Sequence, residues 1–454
     1  MSILNRLGRS ADRLKSARLR YFAQRLVYPR QLPDIMRKHI YTGAMGSIWG
    51  ILITGQFFVF YATRIGMTKT QMALLSGCFS VLMVTQVFSG FITQRLGRRK
   101  LIWFTFCLTN RLVRLAGILL SMLLWHYGWS GAVPVLIIGI CLAGLASAQE
   151  APPWLSWLGD IIPEHTHGRF WGRRSAWIAL SNILVFLPAG LLLDHVPEPW
   201  KLTTIISIFI FATASGVADI VIHGTIPEPH VPPRRERAFL RDILVPLRDR
   251  TFRPWLSFTS AWQFSATVAD AVLNWFIIKD LAMGQNMFGV ACLTSLWLLT
   301  ILFTGGITGV LVDRYGPRRV LFWGHLILSF VPLLWIFATP SSALLLLGVF
   351  NVIGSASFNA VVNAATKFVV RFPPPQLRPL YLSAAIGLGA LATGLGGLFA
   401  ALALFLIGDW QYTFAGLPFG GLRLLFILTL ILRLLTVTFV LTRLRDSHSP
   451  PEPA

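Results

Sequence analysis

Apolar runs of about 20 residues recur along the whole chain, separated by short polar stretches in which Lys and Arg collect. A helix of about 20 residues covers about 30 Å of hydrocarbon, so each run predicts a membrane span. Twelve such spans are predicted, numbered in chain order: 40–62, 72–94, 101–124, 132–155, 175–196, 202–224, 255–278, 287–312, 320–339, 343–366, 380–407 and 422–442. The polar stretch 225–254, rich in Pro, Arg and Glu, is the one long internal break and divides the spans six and six.

Composition agrees with that pattern. Of 454 residues, 55% are hydrophobic and 13% are charged, and the mean hydropathy of +0.65 lies outside the range of soluble globular chains. The formal net charge of +22 would raise the question of nucleic acid in a soluble protein. Here the cations sit between apolar runs, as they do in loops facing an anionic inner leaflet, so membrane lipid is the expected partner and nucleic acid is not. Most of the Lys and Arg fall in the stretch before span 1, in the 2–3, 4–5, 6–7, 8–9 and 10–11 connections and after span 12. Both termini are therefore expected in the cytoplasm of a multi-pass protein of the cell's inner membrane. Residues 1–30 scatter Ile3, Leu7, Leu14 and Phe22 among cations, which fits either a basic amphipathic helix on the leaflet or a positive tail that only sets topology. Cys78, Cys107, Cys141 and Cys292 each lie inside an apolar run and read as small apolar fillers rather than a metal site or a disulfide framework.

Two short loops repeat one another. "GFITQRLGRRK" at 90–100 follows span 2, and "GVLVDRYGPRR" at 309–319 follows span 8. A second echo, "RFWGRRSA" at 169–176 after span 4 and "RPLYLSAA" at 378–385 after span 10, points to a duplicated six-span unit. The pattern G-x-x-x-D-R-x-G-R-R in this position resembles the signature loop of the major facilitator superfamily of secondary transporters. Its second copy matches at Gly309, Asp313, Arg314, Gly316, Arg318 and Arg319, with Pro317 inserted in the turn. Its first copy matches at Gly90, Arg95, Gly97, Arg98 and Arg99, with Gln94 in place of the acid. The resemblance implies an all-α membrane fold of twelve transmembrane helices in two pseudo-symmetric six-helix bundles. The expected units are a basic segment 1–39, a bundle 40–224, a linker 225–254, a bundle 255–442 and a tail 443–454. It also implies that the loops act as a conformational latch on the cytoplasmic side, with Asp313 near Arg169, Arg173 and Arg174, and that the uncharged Gln94 makes the first copy the weaker one.

Ionisable groups at membrane depth cost about 2.5–3.5 kcal/mol on insertion scales and are functional candidates by default. In the resembled fold, spans 1, 4, 7 and 10 line the central cavity. Span 4 carries Gln149 and Glu150 immediately before Ala151, Pro152 and Pro153, and Glu150 reads as a solute or proton carboxylate or as a structural ion pair. Span 7 offers Gln263, Asp270 and Asn274, the last two four apart on one helix face. Span 10 offers Asn359, Asn363 and Lys367, and span 3 offers Arg111 and Arg114, three apart. Turned inward, these arginines hold an anionic solute; turned outward, they pair with acids such as Asp219. Asp219 and His223, four apart in span 6, form either a proton relay or a hydrated pair. Arg433 in span 12 has no evident partner. Tyr41, Gln56 and Tyr61 of span 1 read as helix contacts.

No Walker A loop, HExxH or metal-ligand cluster is present, so neither an enzyme, a cofactor nor a metal is expected. The expected activity is movement of a small organic solute by alternating access, with protons as the candidate coupling ion and a monomer as the working unit. Some members of the resembled family are delivery or assembly factors, which keeps a scaffold without transport as the alternative. The topology is checked by labelling single cysteines placed near each terminus in intact cells: both are expected to be shielded from an impermeant reagent, and labelling of either overturns the assignment.

Overall fold

The computed structural model describes residues 32–96, 98–162, 167–229, 245–369, 378–414 and 417–440. The basic segment 1–31, Gly97, the linker core 230–244 and the tail 443–454 lie outside the described residues, as do the side chains of Gly90, Gln94, Arg95, Arg169 and Lys367.

Helices dominate, because a backbone that crosses hydrocarbon must satisfy its hydrogen bonds within itself. Span 1 comprises Leu32–Ile53 and Gly55–Arg64, broken where Thr54 turns its hydroxyl back onto the Gly50 carbonyl. Span 2 comprises Lys69–Leu82 and Gln86–Leu96 around a 3-10 turn, Met83–Thr85. Span 3 is Arg99–His126, and span 4 is split into Ala132–Ser147 and Ala151–Ile161. Spans 5 and 6 are His167–His195 and Lys201–Gly224. The second half runs Arg253–Trp275, Met287–Tyr315, Pro317–Phe337, Ala343–Val369, Arg378–Ile407 and Gly421–Leu435. Eleven of these helical stretches are long and apolar enough to cross a membrane. The remaining one, span 7, is diluted by Gln263, Asp270, Asn274 and several hydroxyl side chains. A short antiparallel hairpin, Gln411–Phe414 with Leu417–Gly420, joins spans 11 and 12 where the sequence predicts only a loop.

Contacts between connections fix which ends share a face. Arg64 and Lys201 both reach Glu198, at 2.8 and 2.7 Å, and Lys69 lies 3.9 Å from Asp409, which gathers the 1–2, 5–6 and 11–12 connections at one face. Lys38 donates to Thr225, and Arg99 binds Glu228, which gathers the start of span 1 and the 2–3 and 6–7 connections at the other, basic face.

The halves are held together near the first of these faces. Spans 2 and 11 cross so closely at Gly77 and Gly397 that a Cβ on Gly397 would lie 2.7 Å from the Gly77 nitrogen, so only glycine fits. Spans 5 and 8 meet through Asp194, whose two carboxylate oxygens accept the Met287 and Phe288 N–H groups, each at 2.7 Å. Asn286 accepts the Gly289 N–H at 2.8 Å. The first amides of span 8, which have no partner within the helix, are thereby satisfied, two of them by the opposite half. The negative carboxylate also faces the positive end of the helix dipole.

Removal of this contact is expected to loosen that face. With spin labels at Leu192→Cys and Lys279→Cys in a background stripped of native cysteines, Asp194→Ala should move the distance distribution outward, and an unchanged distribution would show that the contact holds nothing.

Candidate functional site

The buried polar groups of the first half converge on Trp49 of span 1. Arg111 forms an ion pair with Asp219 at 3.0 Å, and both residues are at most 6% exposed. The Arg111 guanidinium lies 4.6 Å from the Trp49 ring centroid, and that of Arg114 lies 5.6 Å from it. Gly46 leaves room for Asp219, since a Cβ there would sit 2.5 Å from its Oδ2. Of the two readings of Arg111, pairing with Asp219 is the one the side chains adopt.

Glu150 accepts a 2.7 Å hydrogen bond from Asn110 Nδ2 and lies within electrostatic reach of Arg111 and Arg114. Its position follows from the break in span 4. A proline cannot donate an N–H and disfavours helix at the residue before it, so the chain interrupts its helix at 148–150, just before Ala151, Pro152 and Pro153. The neighbouring Gln149 donates to the Thr85 carbonyl at 3.2 Å and hydroxyl at 3.1 Å, and its own carbonyl accepts from Ser89 at 2.9 Å. The break in span 4 is thus matched to the 3-10 turn in span 2.

Asp219 and His223 do not bond to each other. His223 accepts from the Trp154 indole at 3.2 Å through Nε2 and bonds Thr42 through Nδ1 at 3.0 Å, which leaves Nδ1 as the protonated nitrogen. His39 packs edge-on against His223, with ring centroids 4.3 Å apart. Tyr61 is a helix contact, bonding Ser121 at 2.7 Å and the Ile118 carbonyl at 3.0 Å.

In the second half, Asp270 of span 7 and Arg433 of span 12 approach to 3.5 Å, which supplies the partner that sequence reasoning could not name for Arg433. The arginine is buried, bonded to the Leu328 carbonyl at 3.1 Å and stacked near Trp262 and Trp335. The Asp270 side chain is 52% exposed, so the pair has one buried and one accessible end. Gln263 is exposed beside Gly389, and Asn274 is half-buried. Asn359 donates to Ile301 and Thr304, each at 3.1 Å, and Asn363 donates to Thr308 at 2.8 Å, so both amides tie span 10 to span 8.

The signature loops divide in character. Gly316 takes φ +81° as it caps span 9, a conformation that glycine adopts without penalty. Asp313, Arg314, Arg319 and Arg173 are exposed, Arg318 is half-buried, and Asp313 and Arg318 have interaction partners. Arg99 is buried and donates to Ser156 of span 4 and to Pro229 at the start of the linker, besides its bond to Glu228 there. Arg174 turns to the His39 carbonyl at 3.3 Å and lies over Trp154. Besides Arg433, the residues that sequence reasoning missed are Asp194, Trp49 and Arg423. The last bonds the Ile336 and Ala338 carbonyls at 3.0 and 2.8 Å and so closes the end of span 9.

Two six-helix halves with polar groups buried in each, joined face to face, define a membrane protein of the secondary-transporter class. The sequence matches the family model of the Major Facilitator Superfamily over residues 40–274 and 256–453, and the chain belongs to that family. Comparison with curated proteins finds no match. Among solved structures, a variant of the nucleoside transporter NupG is similar with a TM-score of 0.68 at 12% identity, covering 90% of this chain and 99% of that one. A bacterial homolog of the human lysosomal transporter Spinster, inward-facing and unoccupied, gives 0.66 at 15% identity, covering 93% and 99%. The xylose transporter XylE from E. coli, partially occluded and inward open, gives 0.60 at 12% identity, covering 90% and 98%.

Loss of one partner from a buried ion pair strands the other, at a cost of about 3–5 kcal/mol. Arg111→Met and Asp219→Asn are each expected to destabilise the purified protein by about that much, and the double variant by less than the sum. Thermal unfolding in detergent checks this, and additive effects would deny the pair.

Proposed function

We propose that this protein is a secondary active transporter that moves a small organic solute by alternating access between its two halves, with protons as the coupling ion. The observation that carries the reading is the Asp270–Arg433 pair: the arginine is sequestered in the second half while the carboxylate keeps half of its side chain accessible. A carboxylate so placed can exchange a proton with water and, on protonation, release its hold on a buried cation. Glu150 is the counterpart in the first half, held by Asn110 beside two arginines. Gln149, Gln263, Asn274, Asn359, Asn363 and Lys367 complete the candidate pathway. The fold neighbours are named for transport of nucleosides and xylose, which supports a small organic cargo.

The contact of Asp194 with span 8 serves as the closure of one face, and the loops around Gln94 and Asp313 as the latch of the other. Rocking of the halves breaks one set as it makes the other. The basic face is cytoplasmic in this scheme.

The test is uptake into vesicles. Solutes that stabilise the purified protein are offered to proteoliposomes with an alkaline interior. Uptake is expected to follow the pH gradient, and Glu150→Gln or Asp270→Asn should reduce it to background while leaving solute exchange measurable. Failure of every stabilising solute to accumulate would sink the transport reading, and wild-type uptake in both variants would remove these residues as proton carriers.

A further inference from the structure

We propose that Arg114, together with the indole N–H of Trp49, forms a subsite for an anionic group of the transported solute, so that the cargo is an organic anion. This rests on the transport reading and adds the substrate class to it.

The first ground is that Arg114 has no hydrogen-bonded or ion-paired partner among the described residues. It is 6% exposed and its Nε is buried without a hydrogen bond. Its guanidinium is held only by aromatic faces, 5.6 Å from the Trp49 centroid and 5.7 Å from that of Phe79. Arg111, one turn away, has an acid and a carbonyl as partners. The nearest carboxylate, Glu150, takes its hydrogen bond from Asn110 and acts on Arg114 only at a distance. A guanidinium carries five donors in a planar fork, and leaving even the Nε donor unmatched away from water is costly.

The second ground is independent of the first. Trp49 Nε1 is also buried without an acceptor. Two unsatisfied donors whose side chains meet, 5.6 Å from guanidinium to ring centroid, share one missing complement, an acceptor, and a carboxylate or phosphate supplies one with charge.

The third ground is the charge balance of the cluster. Arg111, Arg114 and Arg174 act on the same group of acids, Asp219 and Glu150, which leaves three arginines against two carboxylates. Arg111 pairs with Asp219 and Arg174 has only the neutral His39 carbonyl, so the cluster as a whole keeps one uncompensated positive charge, and Arg114 is the member without a bonded partner. The pair in the second half, Asp270 with Arg433, has no such excess. An anion entering the first half neutralises what the chain itself leaves charged. It must do so beside Glu150, whose repulsion limits its affinity and allows its release.

The probes are three organic anions, each with a neutral analogue: benzoate with benzamide, gluconate with glucose, and glycerol 3-phosphate with glycerol. Binding to the purified full-length protein is read from saturable shifts in thermal unfolding. At least one anion is expected to bind where its neutral analogue does not. Arg114→Gln should weaken that binding by about tenfold or more, equivalent to about 1.4 kcal/mol. Glu150→Gln should tighten it, since a repulsive neighbour is lost, and opposite signs at the two positions are not what a merely structural role produces. If Arg114→Gln does not fold, Arg114→Lys and Trp49→Phe take its place, each with a smaller loss expected. The proposal is overturned if no anion binds better than its analogue, or if the Arg114 variants bind as well as the wild type. Transport of a neutral solute, unchanged in Arg114→Gln, would remove the subsite and leave the transporter reading intact. Anion binding lost with Arg114 but no flux in vesicles would do the reverse.

Discussion

A charge taken out of water must find a partner or stay at the edge, and the interior of this molecule is arranged around that constraint. Arg111 crosses from span 3 to Asp219 on span 6, and Arg433 crosses from span 12 to Asp270 on span 7. Arg423 solves the problem without an acid, by bonding the last carbonyls of span 9, where the negative end of the helix dipole lies. Each solution also fixes the packing of two helices. Between helices in lipid there is little hydrophobic drive, so polar contacts and close backbone approach carry more of the specificity.

The same physics governs the joint between the halves. Span 8 begins at Met287 with amides that have no partner within the helix; its cap residue Asn286 takes one, and Asp194 takes two from across the interface. A helix terminus is a suitable element for a reversible contact. The carboxylate gains from the dipole when docked, and both partners can be hydrated when apart, so neither state leaves a buried group stranded. The crossing at Gly77 and Gly397 works differently, through backbone contact that admits no side chain. The first contact depends on charge and the second on shape.

Much of the architecture was legible because bilayer thickness imposes a length on every span and because the duplicated loop occurs at matching places. Pro152 and Pro153 marked the break in span 4, and the charged residues in the spans marked the candidates that the structure groups into buried polar clusters. Partners were harder to read. Asp270 and Arg433 are far apart in the chain, and nothing in their local context says that spans 7 and 12 adjoin. The role of Asp194 was hidden for another reason: its partners are backbone amides, which every residue carries, so no side-chain type at Met287 or Phe288 signals them. The hairpin before span 12 has short strands without a clear alternation, and the Pro418 within it argues against strand by propensity. Asn359 and Asn363 carry the chemistry of a pathway, and that their amides also tie span 10 to span 8 depends on helix rotation, which the sequence does not state.

Duplication gives the two halves the same plan, and the residues that depart from it show where each has specialised. Span 4 is broken before Ala151, Pro152 and Pro153 and presents Gln149 and Glu150, while span 10 continues through Asn359 as a single helix tied to span 8. Span 2 carries a 3-10 turn opposite that break, while span 8 is continuous from Met287 to Tyr315. The first half therefore has irregular backbone at depth, whose Gln149 and Thr85 carbonyls are taken by Ser89 and Gln149, and it also holds the excess positive charge. The second half keeps spans 8 and 10 continuous, confines its π-helical turns to the ends of spans 7 and 12, and holds a balanced ion pair with one accessible end. The proposed roles, recognition of the solute in the first half and proton exchange in the second, match that division, and neither requires the symmetry that the duplicated loops preserve.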